Sequence, residues 1–276
     1  MSSAYTHLTG HRGHLAEARA ALDDVRRALG RSGLAVSLAW HDIVARYRGS
    51  ILGPLWITLS MAAMVAGIGL LYAQLFRLSL AEYVPFLALG IVIWGMISTT
   101  IVESCDTFTH AAGMLRQTSL PLLIFPVRTV LRNLINLAHH VVIVVVVLAL
   151  FTPWREIDLA AALLGLALVV VNLVWVTTVV GIVAARFRDI PQIVAAVVQF
   201  AMFMTPVFWR PEAIPERHLV LTLNPFHYMI AAVRRPLLGE PGEPGAYAIL
   251  AALALAGWAL AFGLYVITRR RIVHYL

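Results

Sequence analysis

Polar side chains, which could mark an ion or proton path, are scarce within the long apolar runs of this sequence. They are Asn136, His139, His140, Asn172 and Gln199, and no Asp or Glu lies in the middle of a run. Proton-coupled carriers usually place a carboxylate inside the membrane, so a proton path is not favoured. We expect His139 and His140 to form hydrogen bonds between helices; the alternatives are a proton relay and contact with water in a cavity.

Motifs of the common catalytic, metal-binding and nucleotide-binding sites are absent from the sequence. All 21 basic residues are Arg, whereas a phosphate-binding P-loop and Schiff-base catalysis both need Lys. The single cysteine, Cys105, excludes an intrachain disulfide and a Cys-cluster zinc site. His7, His11 and His14 have a spacing that suits a metal, but no Cys or acid accompanies them suitably. We therefore expect no catalytic residue, no metal site and no cofactor bound by this chain.

The composition is typical of a membrane protein. Of the 276 residues, 61% are hydrophobic and 13% are charged, and the mean hydropathy is +0.84. Soluble domains carry roughly a quarter charged residues. The sequence therefore predicts an all-α integral membrane protein.

Six apolar segments approach the ~20 residues that a helix needs to cross a bilayer. They are about Ile57–Phe76, Val84–Ser104, Leu131–Phe151, Leu159–Ala185, Pro191–Trp209 and Ala246–Thr268. Between the fifth and sixth, the stretch 210–245 contains apolar pieces too short to span, which predicts short re-entrant outer helices.

The residues before the first span predict two amphipathic helices. In 14–30, apolar residues recur every three or four positions with charges between them. The second helix, Leu34–Arg48, is expected to lie in the membrane interface with Asp42, Arg46 and Arg48 facing water. About fifty residues precede the first long apolar run, so the start does not resemble a secretory signal. We divide the chain into a cytoplasmic N-terminal arm, 1–33, and a transmembrane domain, 34–276.

The distribution of arginines predicts the orientation. With the N-terminus inside, fifteen of the arginines fall in inner segments and six in outer ones, as the positive-inside rule requires. Both termini are then cytoplasmic. The net charge of +7 follows from this topology and gives no reason to expect nucleic acid as a partner.

Aromatic residues gather near the ends of the predicted spans. The set includes Trp56, Tyr72, Phe76, Trp94, Phe203 and Phe208. They fit the ordinary aromatic belt at the membrane interface, or a channel surface on which sugar rings stack and slide. The sequence leaves both interpretations open.

The stretch LAWHDIVARYRGSILGPLW, 38–56, resembles a motif of the polysaccharide-export permeases of the type 2 ABC transporter superfamily, the Wzm-type O-antigen and galactan exporters and their capsule and teichoic-acid relatives. The matching residues are Trp40, Asp42, Arg46, Tyr47, Ser50, Leu52, Gly53, Pro54, Leu55 and Trp56. Weaker matches follow in family order at Leu115–Pro126, Arg188–Ile190, Thr205–Pro206 and Asn224–Pro225. The arm before Leu34 departs from the family pattern.

The resemblance implies a homodimeric permease in the bacterial inner membrane that moves a polysaccharide on an undecaprenyl-type lipid. A separate Wzt-like ABC subunit would bind ATP and Mg²⁺. The family's coupling helix corresponds to about His110–Thr118, with His110, Met114, Leu115 and Arg116 as contacts and Asp42 in the supporting interface helix. Its outer gate corresponds to Pro206, Asn224, Pro225 and Arg234. Arg46 and Arg48 suit the lipid diphosphate or, equally, anchoring to anionic membrane lipids.

Two other functions remain open from the sequence. The first is a type 2 ABC permease for drugs or lipids with the same architecture. The second is a membrane enzyme acting on polyprenyl-linked sugars, which would need inner acidic residues such as Asp42, Asp106 or Asp189 as catalytic groups.

Overall fold

The computed structural model describes residues 14–53, 55–152, 154–213, 219–269 and 271–276, and every regular element within these ranges is helical. In chain order the helices are α1 His14–Gly30, α2 Ser32–Arg46, α3 Leu55–Leu75, α4 Leu80–Ser104, α5 Ala112–Gln117, α6 Ile124–Phe151, α7 Leu159–Arg186, α8 Ile190–Met204, α9 Leu219–Thr222, α10 Pro225–Leu237, α11 Pro244–Thr268 and α12 Ile272–Tyr275. The predicted all-α class is confirmed. Pro54 of the sequence motif, His7 and His11 lie outside the described residues.

Five helices are long and apolar enough to cross a membrane, namely α3, α4, α6, α7 and α11. The remaining predicted span is α8, which has 15 residues and so extends only about 22 Å. It ends at Met204 and not at Trp209. The residue before a proline is disfavoured in the helical conformation, and Thr205, which precedes Pro206, is extended (φ −96°, ψ 138°).

Helix α4 forms the centre of the bundle. Its sequence is apolar on nearly all sides, the pattern of a helix buried by others, and it packs against α3, α6, α7, α8 and α10. Most of α4 is buried as a result, whereas most of α3 is exposed. The bundle therefore has a protein-covered centre and an apolar periphery.

Two glycines let neighbouring helices approach α7 closely. A Cβ atom at Gly257 of α11 would lie 2.1 Å from the indole of Trp175, and one at Gly165 of α7 would lie 2.2 Å from the carbonyl oxygen of Ala232 in α10. Small residues at such crossings are characteristic of membrane helix packing. They hold α7 between α10 and α11.

The interface helix α2 forms as predicted, but its apolar residues are divided between two neighbouring faces. Ala35, Ala39 and Ile43 recur every four residues and are buried, and α2 packs along α6. The adjacent face, about 100° around the helix, exposes Val36, Trp40 and Val44. This apolar exposed side suits a helix lying in the membrane interface.

Candidate functional site: an inner ion cluster and an outer gate

Five charged side chains from three helices meet at the end of α4 that is expected to face the cytoplasm. Asp42 of α2 accepts hydrogen bonds from Arg128 through both carboxylate oxygens, at 2.8 Å from Nε and 2.5 Å from Nη2. Arg132 donates to Asp42 at 3.1 Å and to Glu103 of α4 at 2.7 Å. Arg46 completes the cluster with a 3.1 Å contact to Glu103. These ion pairs fasten α2 to α4 and α6.

The local sequence explains this convergence. Arg128 and Arg132 are four residues apart in α6, so their side chains leave the same face of the helix. Burial alone raises the pKa of Asp42, but the hydrogen bonds and positive charges of Arg128 and Arg132 outweigh it, and the pKa lies below the usual 3.8. Glu103 also accepts a 2.8 Å hydrogen bond from the amide of Asn133. Both carboxylates are thereby held by several donors each.

The expectation that Asp42 faces water needs correction, because Asp42 is mostly buried between its two arginine partners. Arg46 is exposed as expected, and it also pairs with Glu103. Glu103, Arg128 and Arg132 were not predicted as partners of Asp42 and Arg46. The sequence does place all three at the same level of the membrane, because each lies near a span end on the side assigned to the cytoplasm.

Arg48 lies in a different environment from Arg46. It is exposed and lines a cavity of about 890 Å³, together with Trp40, His41, Tyr47 and His139. Within the described part of the chain it has no ion-pair partner. Of the two arginines predicted for an anionic headgroup, Arg48 is the one whose guanidinium group is available.

The predicted coupling segment forms the short helix α5. Arg116 and His110 are exposed, and Met114 is half-buried. Leu115 is only 8% exposed and belongs to an apolar cluster with Phe108 and Leu122. The prediction of Leu115 as a contact is therefore corrected: its side chain anchors α5 to the protein body.

The intramembrane histidines do not bridge helices through their side chains. The Nδ1 atom of His139 lies 2.8 Å from the carbonyl oxygen of Ile135 in its own helix, and Nδ1 of His140 is buried with no hydrogen-bond partner among the described residues. Asn172 instead makes a hydrogen bond between helices, because its amide donates to the carbonyl oxygen of Leu250 in α11 at 3.0 Å. Within α7, its side-chain oxygen accepts a 3.0 Å hydrogen bond from the indole of Trp175.

The structure separates the predicted channel aromatics into two groups. Trp56, Phe76 and Phe203 are more than half exposed, and Tyr72 joins Phe76 and Phe208 in edge-to-face contacts with ring centres 5.5 and 6.5 Å apart. Trp94 is 6% exposed and packs edge-to-face on Phe226. Trp94 is therefore a core residue, and its burial does not favour the interpretation of Trp94 as a channel-facing aromatic.

The predicted gate residues come together between α8 and α10. Asn224 caps α10 by accepting a hydrogen bond from the backbone of Phe226, and its amide donates to the carbonyl oxygen of Met204 at 3.2 Å and to Thr205 Oγ1 at 3.0 Å. Pro225 follows at the first helical position, where its missing N–H costs nothing. The end of α8 is thus tied to the start of α10.

Arg234 ties the other end of α10 to the same segment. Its Nη1 donates to the carbonyl oxygen of Pro206 at 2.7 Å, and its guanidinium carbon lies 3.8 Å from the ring centre of Phe86 in α4. The residue is 3% exposed, and no carboxylate within the described ranges lies close enough to form an ion pair with it. A pocket of about 630 Å³ opens beside it, lined also by Glu82, Arg210, Glu212 and His227. Phe86 is one of the aromatic residues near the span ends, but its contact with Arg234 was not predicted from the sequence.

An all-helical bundle with five apolar helices of spanning length and an interface helix is the architecture of an integral membrane protein. The family model described as ABC-2 type transporter matches residues 34–238. The chain belongs to the ABC-2 type transporter family. It is a transporter membrane subunit and not an enzyme, and membership of an ABC transporter family implies an ABC ATPase partner.

Curated relatives carry a common name. The chain is 27% identical over 207 residues to the O-antigen export system permease protein RfbA of Myxococcus xanthus, covering 73% of this chain and 78% of that protein. It is 23% identical over 206 residues to the protein of the same name from Klebsiella pneumoniae, with the same two coverages. The similarity thus extends over most of both partners in each comparison.

Proposed function

We propose that this chain is the permease subunit of an ATP-driven exporter that moves a lipid-linked polysaccharide of the O-antigen, galactan or teichoic-acid type across the bacterial inner membrane. The observation that carries the proposal is the match to O-antigen export permeases over 73% of the chain. The excess of arginine in the inner segments supports cytoplasmic termini. The exported polysaccharide is attached to an undecaprenyl-type diphosphate lipid.

The partner subunit binds ATP and Mg²⁺ and docks on the cytoplasmic side. The absence of Lys from this chain supports ATP binding by a separate subunit, because a P-loop needs a lysine. The exposed Arg116 and His110 beside α5 are the residues through which the ATPase engages the permease, and Leu115 fixes the helix that presents them.

The permease works as a homodimer. Helix α3 has little burial within the chain, and α8 exposes Ile193, Val197, Phe200 and Phe203. A second copy that covers part of these surfaces encloses a path that neither copy forms alone. The exposed aromatics Trp56, Phe76 and Phe203 supply flat faces for sugar rings along that path.

Arg48 receives the diphosphate of the lipid carrier at the cytoplasmic border. Its guanidinium group is exposed beside Trp40, His41 and Tyr47 at the 890 Å³ cavity, and guanidinium binds phosphate oxygens in a two-pronged geometry. Arg46 contributes less, because Glu103 already engages it. Anchoring of Arg48 to anionic membrane lipids is the competing outcome.

Co-purification with a candidate ABC ATPase subunit from the same organism tests the proposal. The complex is expected to hydrolyse ATP, and lipid-linked glycan in proteoliposomes is expected to stimulate hydrolysis while drugs and phospholipids are not. The variant Arg48→Gln is expected to lose glycan stimulation but keep ATPase binding, and Arg31→Gln serves as an exposed arginine control. A purified permease that hydrolyses ATP unaided, or that never associates with the ATPase, would refute the proposal.

A further inference from the structure

Helix α1 lies before residue 34, where the family match begins, yet it is firmly attached to the rest of the protein. Ala21 is fully buried. It belongs to an apolar cluster that also contains Leu115 of α5, Tyr265 of α11 and Ile272 of α12. One apolar layer therefore joins the N-terminal helix, the coupling helix and the end of the last span.

Asp24 is the polar centre of this attachment. Its carboxylate accepts a hydrogen bond from the hydroxyl of Tyr265, which is 241 residues away, and from the backbone N–H of Leu122 at 3.3 Å. A third hydrogen bond comes from Arg27, one turn further along α1, at 3.2 Å. A carboxylate that is mostly buried needs such donors to compensate for the water it has lost.

The two distant partners of Asp24 belong to two different elements. Leu122 lies in the connection between α5 and α6, five residues after the end of α5 at Gln117. Tyr265 lies in the last turns of α11, a membrane span. The same carboxylate oxygen binds both, so a displacement of the coupling segment is resisted by the last span.

We propose that α1 is a brace that positions the coupling helix α5 for the ABC ATPase, and that Asp24 is its positioning residue. Asp24 does not touch the ATPase in this arrangement. It acts by holding the connection at Leu122, and the shared apolar layer around Leu115 holds the helix itself. The inference rests on the proposed docking of an ATPase at this face.

The test compares Asp24→Asn with Asp23→Asn in the full-length permease bound to its ATPase. Asp23 is adjacent and loses the same charge, but its side chain is 66% exposed and its only ion pair among the described residues is a 3.9 Å contact with Arg26. The neutral oxygen of Asn at position 24 accepts the hydrogen bonds of Tyr265 and Leu122 more weakly than a carboxylate does, and its NH2 group faces the donor Arg27. Hydrogen exchange of backbone amides in 14–30 and 112–123 is therefore expected to accelerate. ATPase affinity and the number of substrate molecules exported per ATP are expected to fall roughly tenfold, the effect of losing about one typical hydrogen bond.

Tyr265→Phe provides a second variant, since it removes a single hydroxyl from the same hydrogen bond and leaves the ring in place. It is expected to reproduce the loss of coupling, and the double variant with Asp24→Asn is expected to be no worse than the worse single one. Faster hydrogen exchange in α1 with unchanged ATPase affinity and unchanged export per ATP would overturn the inference. Unchanged hydrogen exchange in all variants would overturn it as well. A wild-type permease that fails to bind the ATPase would instead refute the proposed function, and the inference with it.

Discussion

Arg128 holds Asp42 in a two-pronged hydrogen bond that joins residues 86 positions apart in the chain, with distances of 2.8 and 2.5 Å. The pair connects the interface helix α2 to the start of the span α6. Because Arg132 contacts Asp42 as well, α2 cannot pivot away from α6 without separating two ion pairs. The position of Arg48, shortly after the end of α2, therefore depends on Arg128 and Arg132.

Replacing Arg128 with Met is expected to lower the free energy of unfolding by about 2 kcal/mol, because it leaves a mostly buried carboxylate with one partner fewer. Arg46→Met is the matched control. The Arg46 side chain is 44% exposed, and partly exposed pairs contribute below about 1 kcal/mol. Thermal unfolding in detergent micelles measures both. Equal losses in the two variants would contradict the assigned difference in burial.

Acidification should weaken the same attachment. The pKa of Asp42 is lowered in the folded protein, so its ionised form contributes stability that is fully present above the unfolded pKa of about 3.9. That contribution disappears as the pH falls through the folded-state pKa. The difference in melting temperature between wild type and Asp42→Asn is therefore expected to shrink as the pH falls below about 4. A difference that stays constant below about pH 4 would argue against an ion-paired Asp42.

The apolar pattern made most of the fold predictable. The spans corresponding to α3, α4, α6, α7 and α11 follow from runs of apolar residues whose length must match the bilayer. The helices α1 and α2 were also predicted, but not which of their faces is buried, since Leu22 and Leu29 of α1 are exposed and Asp42 of α2 faces the protein. The predicted C-terminal boundary of α8 was wrong. Thr205 before Pro206 ends α8 at Met204, a restriction on the backbone that is visible in the sequence.

The partners of polar residues could not be predicted in the same way. Hydrophobicity places Asp42, Asp24 and Tyr265 at membrane borders, but which side chains meet depends on how the helices rotate and cross. Those contacts join residues tens to hundreds of positions apart. Trp94 shows the same limit, because its type suits an interface while the packing of α4 places it against Phe226.

Close packing at Gly257 gives a prediction about helix association. A Cβ there would lie 2.1 Å from the Trp175 indole, so Gly257→Ala forces α11 away from α7 and is expected to cost about 1–3 kcal/mol. Gly263→Ala in the same helix meets no atom within 4 Å and is expected to be neutral or to stabilise by up to about 1 kcal/mol. Resistance to thermal unfolding in micelles distinguishes the two. A tolerated Gly257→Ala would mean that the two helices are not in contact at this point.

Arg234 offers a test of the outer gate. Met has a similar length but no charge, and replacing a buried charge with a hydrophobic side chain is often neutral for stability. Arg234→Met is therefore expected to fold normally while losing the hydrogen bond to Pro206 and the contact with Phe86. Because these contacts hold the segment between α8 and α10 against α4, their loss is expected to favour the open gate by roughly tenfold.

Leakage of a small dye from proteoliposomes measures this shift, and export per ATP is expected to fall with it. Arg235→Met is the matched control, since Arg235 is adjacent but pairs with Glu240 and Glu243 at the surface. An intact Arg234→Met protein with wild-type leakage and export would show that Arg234 serves packing alone. Of the two arginines, only Arg234 contacts Pro206 and Phe86. Increased leakage in both variants would therefore point to a general weakening of α10.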